Sequence, residues 1–262
     1  MSKVSSQTPV SAKQPAWAIA AMVALMFMGP FLHLQSVYVA HHWRLAPAGV
    51  TGDEALVGSA DFLAFEIGRD VLRDGGNAFD AAVAVNFALS VVYQQAGNIG
   101  GGGFMVYRLA NGERGALDFR ERAPLEASRD MYLDAQGEVI KGLSLKGHFA
   151  VGVPGSVAGM VALHERFGSK PWDALVRPSV HLAQSGFELT PKAARMFNRY
   201  QQDFREVNRF SPAVVKPEGA WEAGERITFP DLARTLDRLA TTGRADFETG
   251  ETAHLITAEM RD

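Results

Sequence analysis

The sequence predicts an α/β (α+β) fold, one mixed unit in which helices outnumber strands. Three observations carry this: several segments with apolar residues at helical spacing, a pair of short apolar segments joined by Asn111-Gly112, and no internal repeat or long low-complexity tract. The chain has 262 residues, 47% of them hydrophobic and 21% charged, which is an ordinary globular balance with enough apolar mass for a sizeable core. Its net charge is −3 from 26 basic and 29 acidic residues, with no basic run, so the electrostatic footprint of a nucleic-acid binder is missing. With no cysteine, disulfides, thiolate zinc sites, iron–sulfur clusters and a cysteine nucleophile are excluded. His164-Glu165 is followed by Arg166-Phe167-Gly168, so no HExxH zinc-protease pair is present. The residues call for no cofactor.

The elements follow in chain order. Residues 1–15 read as a short polar tail whose only charges are Lys3 and Lys13. From Ala16 to Leu32 the only polar group is the Trp17 indole, and the apolar stretch extends through His33 and Gln35 to Ala40. Residues 16–40 are therefore a membrane anchor or a signal segment. The length suits an uncleaved anchor, and Tyr38-Val39-Ala40 is a poor cleavage site because Tyr38 is large. Lysines ahead of the apolar run place the terminus in the cytoplasm and the body outside the inner membrane, or in the periplasm after cleavage if the segment is a signal. Residues 41–57, with Pro47, Gly49 and Gly52, read as a linker, and 58–262 as the working body.

Within the body, Asp61 to Asp74 has the apolar spacing of an amphipathic helix closed by Gly75-Gly76. Asn77 is the N-cap expected for Ala78–Val92, a segment so apolar that its helix must be buried on nearly every face, giving a helical hairpin. A glycine-rich loop, 97–103, leads to a strand Phe104–Leu109, the turn at Asn111-Gly112 and a strand Gly115–Phe119. Helices are expected at Ser156–Phe167, at Trp172–Ser185 before Gly186, after Thr190-Pro191, and at Asp231–Ala240 before Gly243. Thr252 to Asp262 has helical composition without a capping glycine, which reads as a fragment or truncated product, or as a frayed terminal helix.

Few residues invite chemistry. Gly100 to Gly103 leave the backbone bare, so another backbone or a ligand can approach closely, but the spacing matches neither GxGxxG nor a P-loop. Arg120 follows a strand end, where a rigid scaffold presents binding residues. Its planar guanidinium suits a carboxylate, and the competing reading is a solvated pair with Glu121. Gly155-Ser156-Val157-Ala158-Gly159 lacks the spacing of a nucleophile elbow, and Ser156 is expected to cap a helix. His148, His164 and His181 lie in unrelated contexts, so no acid–base pair can be named.

Four ordered motifs, Gly75-Gly76-Asn77-Ala78-Phe79-Asp80-Ala81-Ala82-Val83-Ala84, Gly97-Asn98-Ile99-Gly100-Gly101-Gly102-Gly103-Phe104, Asp118-Phe119-Arg120-Glu121-Arg122-Ala123-Pro124 and Val151-Gly152-Val153-Pro154-Gly155-Ser156, resemble the large-subunit half of a gamma-glutamyltranspeptidase. The resemblance runs from about Gly58 to the end and includes Leu232-Ala233-Arg234-Thr235-Leu236. It implies an N-terminal-nucleophile hydrolase fold, an αββα sandwich made as a self-cleaving precursor. It implies a γ-glutamyl substrate such as glutathione, a small subunit from the same precursor as partner, and a threonine nucleophile at that subunit's start. Arg120 matches the arginine that binds the substrate α-carboxylate. Two departures stand out. Ser59-Ala60-Asp61-Phe62-Leu63-Ala64 replaces the family's Ser-His-Pro-Leu-Ala stretch, and no threonine here stands in the nucleophile motif, so these residues alone are expected to be inactive. A cephalosporin acylase, a poly-γ-glutamate depolymerase or a noncatalytic membrane-tethered remnant are the alternative readings.

The anchor reading sets a topology. A periplasm-dependent reporter fused after Asp53 should be active, and strong activity of a cytoplasm-only reporter at that junction would reverse it.

Overall fold

The computed structural model describes residues 51–261; the expected tail, the anchor or signal segment and the first part of the linker lie outside them. Among the described residues no helix is long and apolar enough to cross a membrane. Residues 51–57 contain no helix or strand.

Helix α1, Phe62–Arg73, starts where the Asp61 carboxylate accepts the Leu63 amide at 2.9 Å. Gly75, at φ +80°, turns the chain toward α2, Ala78–Val92, whose Asn77 and Asp80 exchange side-chain-to-backbone bonds in a full capping box. The expected hairpin is present. Its helices touch closely at Gly68, where a Cβ would stand 2.5 Å from Val85 Cγ2. Val83, Ala84, Phe87, Ala88 and Val91 of α2 are fully buried, which the continuous apolar run required.

Helix α3 is Ser156–Phe167 and α4 is Trp172–Ser185, both with the predicted bounds. Trp172 meets Phe87 edge-on at 5.5 Å, and its indole N–H donates to the Leu239 carbonyl at 2.8 Å. That bond ties α4 to α6, Pro230–Thr242, with Leu175, Val176, Leu236 and Leu239 buried. Helix α5, Pro191–Val207, carries the predicted Thr190 cap, and the short α7, Arg244–Thr249, precedes α8, Glu251–Glu259. The sequence reading missed α7 and a pair of two-residue strands, β3 at Phe187–Glu188 and β4 at Arg226–Ile227. Segments this short have no period to read.

The predicted hairpin forms from β1, Phe104–Arg108, and β2, Arg114–Asp118, paired from Phe104 with Asp118 to Arg108 with Arg114. Tyr107 holds its inner face against Phe167, at 4.9 Å, and Phe79, at 6.0 Å. The outer face leaves Phe104 and Val106 exposed. Among the described residues the sheets are two-stranded, so they supply no more than the beginnings of the expected sandwich layers. Residues 119–155 are mostly irregular, with a 3₁₀ turn at His148–Ala150 and isolated bridges Arg122 to Val153 and Leu133 to Val139.

One carboxylate ties this frame together. Asp80, 0% exposed, accepts the amides of Asn77 at 2.8 Å, Ser169 at 2.9 Å and Lys170 at 3.3 Å, and the Ser169 hydroxyl at 2.5 Å. Burial alone would push this carboxyl up, but the Ser169 hydroxyl and the three amides together outweigh it and hold it below its ordinary value. A lowered folded value means its stabilisation is complete above the unfolded carboxyl's range, near pH ~4, and fades as pH falls through the folded value. Asp80→Asn should therefore cost about 2–4 kcal/mol in urea denaturation at neutral pH. The gap between variant and parent should narrow below that range.

Candidate functional site

Arg120 is positioned by backbone contacts from three separate segments. Asp118 ends β2, and its carboxylate accepts the Arg120 amide at 3.0 Å, which bends the chain out of the strand. Phe119 still pairs with the glycine loop, donating to the Gly103 carbonyl at 3.0 Å and accepting the Gly103 amide at 3.4 Å. Next to that pair, a Cβ on Gly102 would lie 2.5 Å from the Phe119 carbonyl and 2.7 Å from Arg120 Cα. The third segment arrives at the start of α3. Gly155 and Ser156 both donate to the Gly101 carbonyl, at 2.7 and 2.9 Å, and a Cβ on Gly155 would sit 2.1 Å from the Phe119 carbonyl.

One turn into α3, Gly159 lies under the Phe119 ring, where a Cβ would meet Cγ at 2.3 Å. The glycines at 102, 103, 155 and 159 thus serve close packing around Phe119, and Gly101 does the same against the Asn98 side chain, the structural of the two readings left open for the loop. Gly100 faces open space.

Ser156 corrects an expectation. It is the first helical residue, with Gly155 in the cap position and no side-chain cap bond. The Gly101 carbonyl takes the two entering amides, and the buried Ser156 hydroxyl donates to Asn98 Oδ1 at 3.2 Å. Asn98 in turn donates to the Ala96 carbonyl at 2.9 Å, so Ser156 links the helix start to the glycine loop.

The Arg120 side chain is 59% exposed. Nε donates to Glu121 Oε2 at 2.9 Å, and the guanidinium carbon lies 5.5 Å from the Phe104 ring centre. The Arg–Glu pair of the competing reading is therefore formed, while Nη1 and Nη2 make no hydrogen bond among the described residues. Glu121's own amide and then the Arg120 guanidinium hold its carboxyl below the usual range, with the Gly102 amide adding to them. Of the histidines, His164 Nε2 lies 2.8 Å from the Lys170 carbonyl and His148 Nε2 3.4 Å from Glu259. Neither faces a hydroxyl it could activate. Sequence reasoning passed over Glu121 as a member of the site and Gly159 as a support for Phe119. The Gly155-x-x-x-Gly159 spacing, which puts two glycines on one helix face, was the available signal for Gly159.

Comparison with known proteins matches this arrangement to one family. The profile described as Gamma-glutamyltranspeptidase matches residues 64–262, and the chain belongs to that family. It is 44% identical over 227 residues to a glutathione hydrolase proenzyme of Pseudomonas sp. (strain A14), covering 86% of this chain and 39% of the relative. Its fold is similar to Helicobacter pylori gamma-glutamyltranspeptidase, with a TM-score of 0.78, 43% identity, and coverage of 82% of this chain and 62% of that one. It is also similar to the Pseudomonas nitroreducens gamma-glutamyltranspeptidase solved with L-DON, with a TM-score of 0.72, 42% identity, and coverage of 80% and 62%. The chain thus spans less than two thirds of the length of the relatives it matches.

The backbone contact at Gly155 can be tested directly. Its φ of −115° suits any residue, so Gly155→Ala acts through the clash with the Phe119 and Arg120 carbonyls. The expected cost is about 1–3 kcal/mol, as for overpacking a dense core, read as a lowered urea midpoint. Unchanged stability would show that the two segments part without penalty.

Proposed function

We propose that this chain is the N-terminal, large-subunit part of a γ-glutamyltransferase or glutathione hydrolase precursor, with Arg120 holding the α-carboxylate of the γ-glutamyl substrate. The observation that carries the reading is the convergence of three family motifs on Phe119 and Arg120, in a chain 44% identical to a glutathione hydrolase proenzyme. A guanidinium can grip a carboxylate through two parallel charge-assisted hydrogen bonds, and Arg120 presents its two Nη groups to solvent on a rigid mount. The carboxylate fixes which end of the substrate is held and leaves the γ-amide at a set distance from it. The amide is cleaved by a threonine nucleophile outside these residues, its own α-amine acting as base, and the acyl group passes to an amino acid, a peptide or water.

The small subunit of the same precursor is the partner in this reading. The exposed Phe104 and Val106 on the outer face of the hairpin, and Leu125 beyond Arg120, are the apolar surface such a partner would cover, completing an αββα sandwich. Residues 16–40 anchor the body outside the inner membrane, or direct its export.

In the full-length precursor, Arg120→Lys and Arg120→Ala should mature into two subunits yet lose about 2–5 kcal/mol of transition-state binding, roughly 30-fold to several thousand-fold in kcat/KM. Lysine keeps the charge and loses the fork, so it should not rescue. Near-normal kcat/KM in a matured Arg120→Ala enzyme would return Arg120 to a surface pair with Glu121. The 262 residues alone should release no glutamate from glutathione, and turnover by the purified chain would show that the nucleophile lies within it.

A further inference from the structure

Helix α5 carries Lys192, Arg195 and Arg199 at spacings of three and four, which puts three exposed cations on one face within about 10 Å of helix. Among the described residues none of them has a carboxylate in ion-pair reach. Lys192 Nζ lies 6.0 Å from the Tyr93 ring centre, and the Arg199 guanidinium 5.5 Å from that of Tyr200. One turn on from Arg199, Asp203 is taken by Lys146 at 2.6 Å. Other helices here pair such cations locally, as Arg69 with Glu66, Arg234 with Asp231 and Arg244 with Glu248. Like charges one turn apart weaken a helix, so this face carries an electrostatic cost that no ion-paired carboxylate among the described residues offsets.

The surroundings indicate the kind of anion that would offset it. No concave set of buried donors converges on the three cations, as a single bound phosphate would need. The face is a row, edged by Tyr200 at 43% exposed. A cavity of about 630 Å³ lies at its start, lined by Phe62, Tyr93, Lys192 and Met196. Phe62 is 66% exposed and, with Ala60 and Asp61, belongs to the stretch by which the chain enters the body. The first residues of the body and the start of the cationic helix therefore meet at one pole. The 17 residues from 41 to 57 reach at most about 60 Å, which keeps that pole within range of whatever residues 16–40 are held in.

We propose that the Lys192–Arg195–Arg199 face of α5 is a membrane-docking surface that lies against anionic lipid headgroups, with Tyr200 and Phe62 at the interface beside it. This rests on the reading of residues 16–40 as an anchor. The cations would orient the tethered body on the membrane.

The test uses the full-length precursor with an environment-sensitive fluorophore on Gln202→Cys, an exposed position seven residues along the same face from Arg195; the 262 residues contain no other cysteine. The protein is reconstituted in vesicles of phosphatidylcholine, with or without phosphatidylglycerol, that contain a lipid-borne quencher. Quenching is expected only in the phosphatidylglycerol vesicles and should collapse at high salt. Each cation near such a surface is worth roughly fivefold in the bound population, so replacing all three with Glu should abolish the quenching. Replacing all three with Gln, which keeps helix propensity, should lose most of it. Equal quenching in both vesicles, or a label shielded even in detergent, would overturn the docking face. Flotation with phosphatidylcholine vesicles reads the anchor separately. A protein that floats but is never quenched refutes the face alone. One that stays soluble refutes the anchor, and the face then stands only if salt-sensitive binding to phosphatidylglycerol vesicles remains.

Discussion

The Gly101 carbonyl, accepting two amides at 2.7 and 2.9 Å from the first residues of α3, is the contact on which the arrangement around Arg120 depends. A helix start has amides that its own turns cannot satisfy, and a loop carbonyl that takes two of them locks loop and helix together. The lock closes only if both backbones also pass close to the Phe119–Arg120 peptide, within distances at which any Cβ on Gly102 or Gly155 would collide. Glycine at these positions is a matter of volume, since φ at Gly102 and Gly155 is not in the left-handed region. The consequence is mechanical. Arg120 projects from a point braced by a strand, a loop and a helix terminus, so its backbone cannot move without breaking contacts in all three.

Around that rigid mount the electrostatics are those of a site exposed to water. Glu121 is stabilised as a carboxylate by its own amide and by Arg120, with the Gly102 amide also turned toward it, and it engages only the Nε edge of the guanidinium. An exposed pair of this kind contributes little to stability, so its value lies in orientation: one edge of the guanidinium is held and the Nη edge faces outward. Asp80 shows the opposite regime. Its carboxylate is fully buried, draws hydrogen bonds from its own cap and from a segment 89 residues on, and joins the α1–α2 hairpin to the end of α3. One acid organises the frame and the other lies beside Arg120, and the difference is burial.

Much of this was legible in the sequence because the signals were local. The Asn77 cap, the all-round apolar run of α2, Thr190-Pro191 and the Asn111-Gly112 turn each act within a few residues, and each stands where local chemistry put it. Ser156 was misread for the same reason: beside Pro154-Gly155 it has the composition of a cap, but Gly155 takes the cap position and the Ser156 hydroxyl bonds Asn98, 58 residues earlier. The two-residue strands β3 and β4 also depend on distant partners. Gly186, at φ +75°, brings the chain so close to Ile227 that a Cβ would lie 2.3 Å from its carbonyl, a constraint visible only once both segments are placed. The position of Arg120 was readable from the strand end; its bracing by Gly155 was not, and Gly159 left only its spacing as a signal.

The hairpin that ends at Arg120 has two unequal faces, and the inequality links fold to site. Tyr107 meets Phe79 and Phe167 edge-on on the inner side, and Gly115 opposite it leaves room for the ring, since a Cβ there would meet the Tyr107 hydroxyl at 2.3 Å. This inner contact fixes the register, because shifting either strand by one residue would turn Tyr107 outward. On the outer side Phe104 and Val106 are exposed, and Phe104 is the ring over which the Arg120 guanidinium lies. Whatever covers that apolar face therefore also walls the arginine on one side and removes water from it. A guanidinium–carboxylate contact strengthens as the local dielectric falls, so covering the hairpin would also strengthen the ion pair that Arg120 makes with Glu121.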